Sequence, residues 1–427
     1  MTRTRVPNSG HLVAVIGQGY VGLPVSMQAV KVGFSVVGFE LSESKVHSLR
    51  AGRSYIDDVT DADIAAALAT GRFVPSSDPD SLTGFTFAVI TVPTPLALGT
   101  PDLSFIESAA RTLAPYVSKG STIILESTTY PGTTEELLVP LLESGSGLTA
   151  GTDFHVGFSP ERIDPGNAVW NFATTPKVVS GIDAESLERV KWFYDQLVAT
   201  TVPVKGTREA ELTKLLENTF RHVNIALVNE LAMHARALEV DVWDVIRAAS
   251  SKPFGFMPFF PGPGVGGHCL PIDPSYLSWK VSQVTGNSFR FVDAANDINN
   301  HMPRYVAQRI LLGLNARGKA LHGASVLVLG VAYKKNSNDA RETPATELIR
   351  SLLELGAVVA YHDPHVERYE LDHSAERVNL TRERCASADV VVLVTDHDDV
   401  DYQMVLSESS YIFDSRNRLS GPNVEPL

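Results

Sequence analysis

The sequence of 427 residues predicts an α/β protein in which a central helical segment joins two Rossmann-like, doubly wound domains. Three observations indicate this fold. Apolar, strand-like runs alternate with helical stretches near both ends of the chain, a glycine-rich turn follows the first run, and residues 209–238 contain neither proline nor glycine. With 44% hydrophobic residues, the chain is long enough for two or three packed domains.

The composition excludes several classes of partner. The chain carries 36 basic and 49 acidic residues, a formal net charge of −13, whereas nonspecific binding to nucleic acid or to an anionic membrane needs a basic surface. No apolar stretch approaches the roughly 20 residues of a spanning helix. The only two cysteines, Cys269 and Cys385, are far apart and no hydrophobic leader follows Met1. We therefore expect a cytoplasmic protein that binds neither nucleic acid nor membrane and has no metal site.

The first strand and helix carry a dinucleotide-binding pattern. An apolar run ends in Gly17-Gln18-Gly19-Tyr20-Val21-Gly22, a helical stretch follows, and a second run closes on Glu40. In this pattern the first glycine permits a tight turn, the second lets the backbone approach a pyrophosphate, and the third lets the helix pack on the strand. A carboxylate at Glu40 binds a ribose 2′-hydroxyl and repels a 2′-phosphate, which favours NAD over NADP. Lys45 belongs to the same site or is a solvated helix lysine.

Polar residues follow the next strands, which the pattern places at 85–95, 121–128 and 153–162, with helices near 104–117 and 133–143. Ligands of parallel sheets sit at the carboxyl ends of strands, so Thr94, Thr128 and Glu161 are candidate site residues. The alternative for Thr128 is that it caps the following helix, and the alternative for Glu161 is that it forms a surface salt bridge with Arg162.

A long helix is predicted over residues 208–238, followed by helices at 274–285 and 292–314. Lys214 and Asn218 are four residues apart and project from one helix face, with Glu211 one turn earlier. The alternative is a solvated polar stripe. A helical segment of this kind either links domains or forms a dimer.

The C-terminal region repeats the strand, helix and strand order without the glycine pattern. Its helix begins at Thr343-Pro344 and its second strand ends at Asp363. Its first loop carries Lys334, Lys335 and Arg341, whose charges suit a phosphate or diphosphate, unless they are scattered surface charges. Cys385 is expected to be structural.

The stretch "PGPGVGGHCLPIDP", residues 261–274, surrounds one thiol with glycine and proline. Glycines allow a backbone to pass close to a ligand, and Asp273-Pro274 is a predicted N-cap and first-turn proline. A helix N-terminus nearby lowers the pKa of a thiol, so Cys269 is a candidate nucleophile. The alternative is a small buried hydrophobic residue.

The motifs "GQGYVGLP", "VPTP", "ESTTYPGTT", "SPERIDPG", "ELTKLLENTFRHVNIALVNE", "PGPGVGGHCLPIDP" and "GVAYKKNSNDARETP" together resemble the UDP-sugar 6-dehydrogenases over residues 10–417. These enzymes oxidise a hexose C6 alcohol to a carboxylate with two NAD per turnover. The resemblance implies a NAD-binding domain at 1–205, a central helical dimerisation segment at 206–315 and a C-terminal UDP-sugar-binding domain at 316–427. It also implies a homodimer formed through the central helix.

The resemblance further assigns roles to individual residues. It implies that Cys269 is the nucleophile, that Asp273 assists the hydrolytic water, and that Lys214 and Asn218 steady the developing oxyanion. Thr128 and Glu161 match positions that hold water and transfer protons. The implied cofactor residues are Gly17, Gly19, Tyr20, Val21, Gly22, Glu40, Lys45, Thr94, Thr128 and Arg341. The implied substrate residues are Glu161, Arg162, Phe259, Gly262, Gly266, Lys334, which holds the diphosphate, and Arg416.

Two positions depart from the UDP-glucose branch of this family. Pro165 and Ile272 replace a glutamate and a lysine of that branch, and the surrounding motifs most resemble UDP-N-acetylglucosamine 6-dehydrogenases. Oxidation of UDP-glucose or of another UDP-N-acetylhexosamine remains an alternative. A sugar-nucleotide epimerase, a one-step dehydrogenase and a non-enzymatic nucleotide sensor are disfavoured, because none of them needs a thiol.

Overall fold

The computed structural model describes residues 8–56, 58–97, 99–163, 169–267, 270–367, 369 and 375–427, so that Cys269 and Pro165 lie outside the described residues. The chain divides into two units. The first comprises Met1–Glu217 and Trp279–Val284, and the second comprises Asn218–Ser278 and Thr285–Leu427.

The first unit is built on an eight-stranded sheet with helices packed against it. The strands of this sheet are β1 (Leu12–Ile16), β2 (Ser35–Phe39), β3 (Phe73–Ser76), β4 (Phe87–Ile90), β7 (Thr122–Leu125), β8 (His155–Phe158), β9 (Lys177–Gly181) and β10 (Thr201–Pro203). Strands β5 (Leu96–Ala97) and β6 (Thr100–Pro101) form a separate short hairpin. The helices of this unit are α1 (Gly22–Lys31), α2 (Glu43–Arg50), α3 (Asp61–Ala69), α4 (Ser104–Leu113), α5 (Val139–Ser146) and α6 (Ala184–Leu197).

The strand order of this sheet is β10-β9-β8-β7-β4-β1-β2-β3, and every pair is parallel except β8 with β9. The order changes direction between β1 and β4, and open α/β sheets bind ligands at such a switch point. The central strands are apolar throughout because helices cover both faces of the sheet. The ring of Phe87 stacks on Phe193 of α6 at a centroid distance of 4.9 Å.

The second unit repeats this plan with a six-stranded, wholly parallel sheet in the order β13-β12-β11-β14-β15-β16. Its strands are β11 (Ser325–Leu329), β12 (Val358–His362), β13 (Glu376–Arg377), β14 (Val390–Leu393), β15 (Ile412–Asp414) and β16 (Val424–Pro426). Its helices are α8 (Val242–Ser250), α10 (Arg290–Ala316), α11 (Pro344–Glu354), α12 (Arg382–Ser387) and α13 (Tyr402–Glu408). Helix α9 (Asp273–Thr285) is divided, since its residues Trp279–Val284 belong to the first unit and the rest to the second. These two sheets confirm the predicted pair of Rossmann-like folds.

The predicted long helix is α7 (Thr207–Ala235), with 29 residues. The division between the two units falls inside it, after Glu217, so the predicted bounds of three domains stay a prediction. Thr343 caps α11, since its side chain accepts a hydrogen bond from the N–H of Ala345, and Pro344 is the first helical residue, as the sequence predicts. Cys385 is fully buried and lies within α12. Within the described ranges, no helix is long and apolar enough to span a membrane.

Candidate active site

The turn after β1 has the geometry that a pyrophosphate-binding turn needs. Gly17 has a φ of +91°, which favours glycine. A Cβ on Gly22 would overlap the carbonyl oxygen of Gly17 and the hydroxyl of Thr91, so α1 packs closely on the turn. A Cβ on Gly19 would meet no heavy atom of the described chain within 4 Å. The backbone at Gly19 is therefore open to a ligand, while Tyr20 beside it is 37% exposed.

Side chains that the sequence reasoning missed hold this turn in place. Thr91, the residue after β4, donates its hydroxyl to the carbonyl oxygens of Ile16 and Gly17 at 2.9 and 2.8 Å. The fully buried Gln18 amide donates to Val15 O at 3.0 Å. The phenol of Tyr55 donates to Gln18 O at 2.6 Å. The dinucleotide pattern specifies only the glycines, whereas Gln18 occupies one of its variable positions and Thr91 and Tyr55 come from elsewhere in the chain.

Glu40 follows β2 and is oriented by backbone donors. Its Oε2 accepts the N–H of Gln18 at 3.2 Å, and its Oε1 accepts the N–H of Ser42 at 3.1 Å. Lys45 Nζ lies 3.6 Å from Glu40 Oε2 and 5.6 Å from the centre of the Tyr55 ring. Burial and the Glu40 charge raise the pKa of the Tyr55 phenol. A fixed carboxylate beside the glycine turn suits a ribose, and Lys45 is tethered to it rather than only solvated.

The segment after β7 is anchored to α7. Thr128 is half-buried there, and the helical turn that follows has Thr133 at its cap position, which removes the alternative that Thr128 is a helix cap. The fully buried Glu211 of α7 accepts hydrogen bonds from the N–H groups of Gly132 and Thr134 and from the Thr134 hydroxyl, at 2.6, 2.8 and 2.7 Å. Burial raises the pKa of Glu211 to about 7 against the opposing effect of these hydrogen bonds. Thr94, after β4, is also half-buried.

Lys214 and Asn218 of α7 are buried, so the alternative that they form a solvated stripe is wrong. Lys214 is 9% exposed and Asn218 is 2% exposed. Asn218 Nδ2 donates to Asp273 Oδ2 at 2.5 Å, and Asn218 Oδ1 accepts from Arg221 Nη2 at 2.8 Å. These two partners fix which way the amide faces. The structure thus brings the Asn218 amide to the start of α9, four residues after Cys269 in the sequence.

The sequence predicts Asp273 as the N-cap of α9, but this residue is the first residue of the helix. The carbonyl oxygen of Ile272 accepts the first hydrogen bonds of the helix, from the N–H groups of Ser275 and Tyr276 at 3.0 and 3.3 Å. The cap position therefore falls on Ile272. The buried Asp273 carboxylate instead accepts from Asn218.

Glu161 lies after β8 and is 8% exposed. Its Oε1 accepts the N–H groups of Arg162 and Ile163, both at 2.7 Å, and its Oε2 accepts from Lys177 Nζ at 2.7 Å. The Arg162 guanidinium pairs with Glu217 at 2.6 Å and donates to Pro176 O at 2.7 Å. The alternative of a surface salt bridge between Glu161 and Arg162 is therefore wrong, since the two side chains have other partners.

The packing of the chain itself accounts for the glycines of residues 261–267. A Cβ would lie 2.9 Å from Pro344 Cβ at Gly264, 2.8 Å from the Glu342 carbonyl oxygen at Gly266, and 2.8 Å from the Tyr333 ring at Gly267. The sequence reasoning assigned these glycines to the approach of a ligand, but within the second unit they let the loop pack against the residues that lead into α11.

Gly262 meets two polar side chains of the same unit. Its N–H donates to Asn229 Oδ1 at 3.0 Å, and Asn229 Nδ2 donates to Asn299 Oδ1 at 2.9 Å. A Cβ on Gly262 would lie 2.8 Å from Arg416 Nη1, so that the guanidinium borders the loop. Arg416 Nε donates to Val394 O at 2.6 Å. Phe259 packs edge-on against Phe220 of α7, with ring centres 5.7 Å apart.

The loop after β11 carries the predicted diphosphate cations. Lys334 is half-buried, and Lys335 pairs with Asp398 at 2.7 Å. The Arg341 guanidinium donates to both carboxylate oxygens of Asp339, at 2.9 and 2.7 Å. The charge of Arg341 is therefore paired with a carboxylate two residues earlier in the chain.

A buried aspartate and histidine, which no local motif indicated, fix this loop. Asp363 Oδ2 accepts the N–H groups of Val331 and Ala332 at 2.7 and 3.0 Å and pairs with His397 Nε2 at 3.0 Å. His397 Nδ1 accepts the N–H of Asn336 at 2.9 Å, which places the histidine proton on Nε2. Burial alone would raise the pKa of Asp363, but the bonds to His397 and to the two N–H groups hold it well below its usual range.

Family models match along most of the chain. The NAD binding domain of the UDP-glucose/GDP-mannose dehydrogenase family matches residues 11–198, its central domain residues 208–301, and its UDP binding domain residues 327–421. Protein CapL of Staphylococcus aureus is 36% identical over 411 residues, covering 94% of this chain and 95% of that protein. The UDP-N-acetyl-D-glucosamine 6-dehydrogenase of Salmonella typhi is 35% identical over 388 residues, covering 90% and 89%. The solved UDP-D-ManNAc dehydrogenase of Pyrococcus horikoshii is 31% identical with a TM-score of 0.89, covering 97% and 99%.

We expect kcat/KM with NAD to exceed that with NADP by at least about tenfold, or about 1.4 kcal/mol, because the Glu40 carboxylate repels a 2′-phosphate. Glu40→Ala should narrow this preference, whereas Glu43→Ala, which removes an exposed carboxylate of α2, should leave it unchanged. Steady-state kinetics with both cofactors measure the ratio. Comparable kcat/KM values for the wild-type protein would contradict the role of Glu40.

Proposed function

Since the chain belongs to the UDP-glucose/GDP-mannose dehydrogenase family, we propose that it oxidises the C6 hydroxyl of UDP-N-acetylglucosamine to the uronic acid in two successive NAD-dependent steps. Membership makes it a NAD-dependent nucleotide-sugar dehydrogenase. The observation that carries the acid-forming part of the proposal is the bond of 2.5 Å between Asn218 and Asp273. It joins an oriented amide and a buried carboxylate at the helix that begins just after the only thiol of the glycine loop.

The residues of the first unit fit the cofactor. The open backbone at Gly19 and the glycine contact at Gly22 suit the pyrophosphate, and the oriented Glu40 carboxylate suits the ribose. NAD bound there supplies the chemistry of the oxidation by accepting a hydride from C6. Thr94 and Thr128 follow neighbouring strands at the same edge of this sheet, and we propose that they border the cofactor.

Cys269 is proposed to keep the aldehyde that the first oxidation produces. Its thiolate adds to the aldehyde carbon and the oxygen takes a proton, which gives a thiohemiacetal. The hydride that remains on this carbon would pass to a second NAD, and with loss of that proton a thioester is left. Water then adds to the thioester carbonyl, and cleavage of the carbon–sulfur bond returns the thiolate and frees the acid.

Polar residues of α7 and α9 are proposed to assist these reaction steps. Lys214 and Asn218 are proposed to stabilise the oxygen that becomes negative in the tetrahedral intermediates, a kind of interaction worth about 3 kcal/mol per donor. Asp273, with Glu161 and Thr128, is proposed to orient the water and to accept its proton. On the substrate side, Lys334 is proposed to hold the nucleotide diphosphate and Arg416 to lie near the sugar nucleotide. The other proposed substrate residues are Arg162, Phe259, Gly262 and Gly266. We further propose that Arg341 reaches the cofactor.

The choice of N-acetylglucosamine rests on Ile272 and Pro165, which are uncharged where the UDP-glucose branch carries charged residues. A neutral acetamido group at C2 needs room and hydrogen bonds and gains nothing from an extra charge. Oxidation of the mannosamine epimer is the second candidate, favoured by the likeness to the Pyrococcus horikoshii structure.

A homodimer is proposed through an apolar stripe of α7. The stripe consists of large side chains that are at least 40% exposed on the isolated chain, namely Leu212, Leu216, Phe220, Leu227 and Leu231. Their spacings of four and seven residues keep them on one side of the helix. An exposed row of this length on a soluble helix is typical of an interface between subunits.

We expect Cys269→Ala to abolish net formation of the acid while leaving NAD binding intact, because the aldehyde is no longer captured. Cys385→Ala is the matched control, since it removes the buried thiol of α12 and should leave acid formation active. Chromatography of the reaction products, together with a binding titration with NAD, gives both readouts. Acid formation by Cys269→Ala near the wild-type rate would overturn the covalent route.

We expect UDP-N-acetylglucosamine to be oxidised with a higher kcat/KM than UDP-glucose, by about 1–3 kcal/mol if the difference comes from filling a pocket. A panel that also contains the mannosamine and galactosamine epimers, scored for NADH formed per sugar consumed, measures both the preference and the number of oxidations. A preference for UDP-glucose or for an epimer would refute the assigned sugar. The dehydrogenase assignment would stand, since it does not depend on Ile272 or Pro165.

We expect the wild-type protein to sediment as a dimer at micromolar concentration and Leu216→Glu to shift it towards monomer, because the substitution places a charge in the apolar stripe. Leu355→Glu, at an exposed leucine that follows α11, is the control and should leave the dimer intact. A wild-type monomer, or a dimer that Leu216→Glu leaves unchanged, would exclude this interface.

A further inference from the structure

Glu161 belongs to a cluster of four buried polar side chains in the first unit. Lys177 of β9 donates from Nζ to Glu161 Oε2 at 2.7 Å and also to Glu126 Oε1. Tyr194 of α6 donates its hydroxyl to Glu126 Oε2 at 2.8 Å. Lys177, Glu126 and Tyr194 are each at most 3% exposed, so the charges are compensated within the cluster.

The cluster contains two carboxyl groups and only one cation. Glu126 Oε1 and Glu161 Oε2 both accept from the same Lys177 Nζ. Burying two ionised carboxylates beside a single ammonium group would leave one negative charge without a partner. The four residues therefore hold one proton between the two glutamates.

The surroundings place that proton on Glu126. Glu161 accepts two backbone N–H groups, from Arg162 and Ile163, which stabilise its ionised form. The hydrogen-bond partners found for Glu126 are side chains only, and it is the more deeply buried of the two. Burial raises the pKa of Glu126 well above its usual range despite the Lys177 charge.

For Glu161 the balance is reversed. Burial by itself would raise the pKa of Glu161, but the Lys177 charge, followed by hydrogen bonds from Glu126, from Lys177 and from the N–H of Ile163, lowers it. The same two carboxylates keep Lys177 protonated against the opposite effect of burial on its pKa. The Arg162 guanidinium, the other cation next to Glu161 in sequence, is paired with Glu217.

We propose that Lys177 and Glu126 are positioning residues that keep Glu161 an ionised carboxylate at neutral pH, with Glu126 held beside the same lysine as a neutral carboxylic acid. The inference rests on the proposed function, in which Glu161 accepts a proton during hydrolysis. A carboxylate whose charge and rotamer are fixed in this way is ready to take a proton from water without first losing one. When Glu161 becomes protonated, the Lys177 charge still compensates Glu126 if that group releases its own proton.

The test measures the pH dependence of acid formation. Lys177→Met removes the cation, so the pKa of Glu161 rises and the carboxylate form is lost at a higher pH. We expect the acidic limb of the pH–rate profile to move up by at least about one pH unit, a tenfold change in proton concentration. Lys177→Arg keeps the charge and should restore the wild-type limb. Lys191→Met, which removes a lysine paired with Asp195 on the surface of α6, is the matched control.

Glu126→Gln is the second arm of the test. An amide at this position keeps the Tyr194 hydroxyl as a partner and is uncharged, as a carboxylic acid is, so this variant should retain a rate and an acidic limb close to those of the wild type. The infrared difference spectrum of wild type minus Glu126→Gln at neutral pH should contain the carbonyl band of a protonated, buried carboxylic acid in the wild type. This band should shift in D2O.

The outcomes separate this inference from the proposed function. If the wild-type protein forms no acid, the proposed function fails, while the infrared band still reports on Glu126. If it forms acid but Lys177→Met keeps the wild-type limb, or the infrared band is absent from the wild type, the inference is overturned. Should Lys177→Met fail to fold, the profile of Glu126→Gln decides: loss of acid formation, or a limb displaced from that of the wild type, would show that Glu126 is ionised.

Discussion

The buried polar face of α7 is the constraint on which the candidate site depends. A polar group removed from water without a partner costs about 1–3 kcal/mol, so each group on this face dictates what must pack against it. Glu211 requires the N–H groups of the 132–134 turn, and Asn218 requires the Asp273 carboxylate. Further along, His222 pairs with Asn296 at 2.8 Å, and Asn229 holds the N–H of Gly262. Loops far apart in the sequence are therefore set by one helix.

Much of this arrangement could be predicted from the sequence, because its signals are local. The glycine turn with Glu40, the Thr343-Pro344 helix start and the long helix depend on residues within a few turns of each other, and the structure places all of them as expected. The alternation of strands and helices likewise predicted the two sheets, since parallel sheets covered on both faces have apolar strands.

What the sequence could not indicate are pairings between distant residues. Lys177 lies 51 positions from Glu126 in a strand that was not predicted, and His397 lies 34 positions from Asp363. A lone lysine or histidine in an apolar segment has no pattern of its own, and only the strand order brings it to its partner. The glycines of 261–267 show the same limit. Their number was evident, but their cause is Tyr333 and Pro344, which are distant in sequence.

Three buried carboxylates of the first unit show how the surroundings decide protonation. Glu211 accepts from two backbone N–H groups and a hydroxyl. Glu126 accepts from the Lys177 ammonium group and the Tyr194 phenol. Glu161 accepts from the same ammonium group and from two backbone N–H groups. Burial raises the pKa of the first two above the ordinary value, while for Glu161 the Lys177 charge and the hydrogen bonds reverse the effect. Of the three carboxyl groups, Glu161 is the one whose pKa is lowered, which fits its proposed role as the group that accepts a proton during hydrolysis.

The acidic balance of the chain explains why cations in the second unit need rigid support. With a net charge of −13, long-range attraction does not draw a nucleotide diphosphate to the protein, so its negative charge has to be met by a few local groups. Lys334 and Lys335 stand on the loop that Asp363 and His397 fix through three backbone N–H groups. A loop fixed before binding loses little conformational entropy on binding. Asp363 and His397 thus support the proposed diphosphate site as Lys177 and Glu126 support the proposed base Glu161, since each pair holds a charged group in place within its own unit.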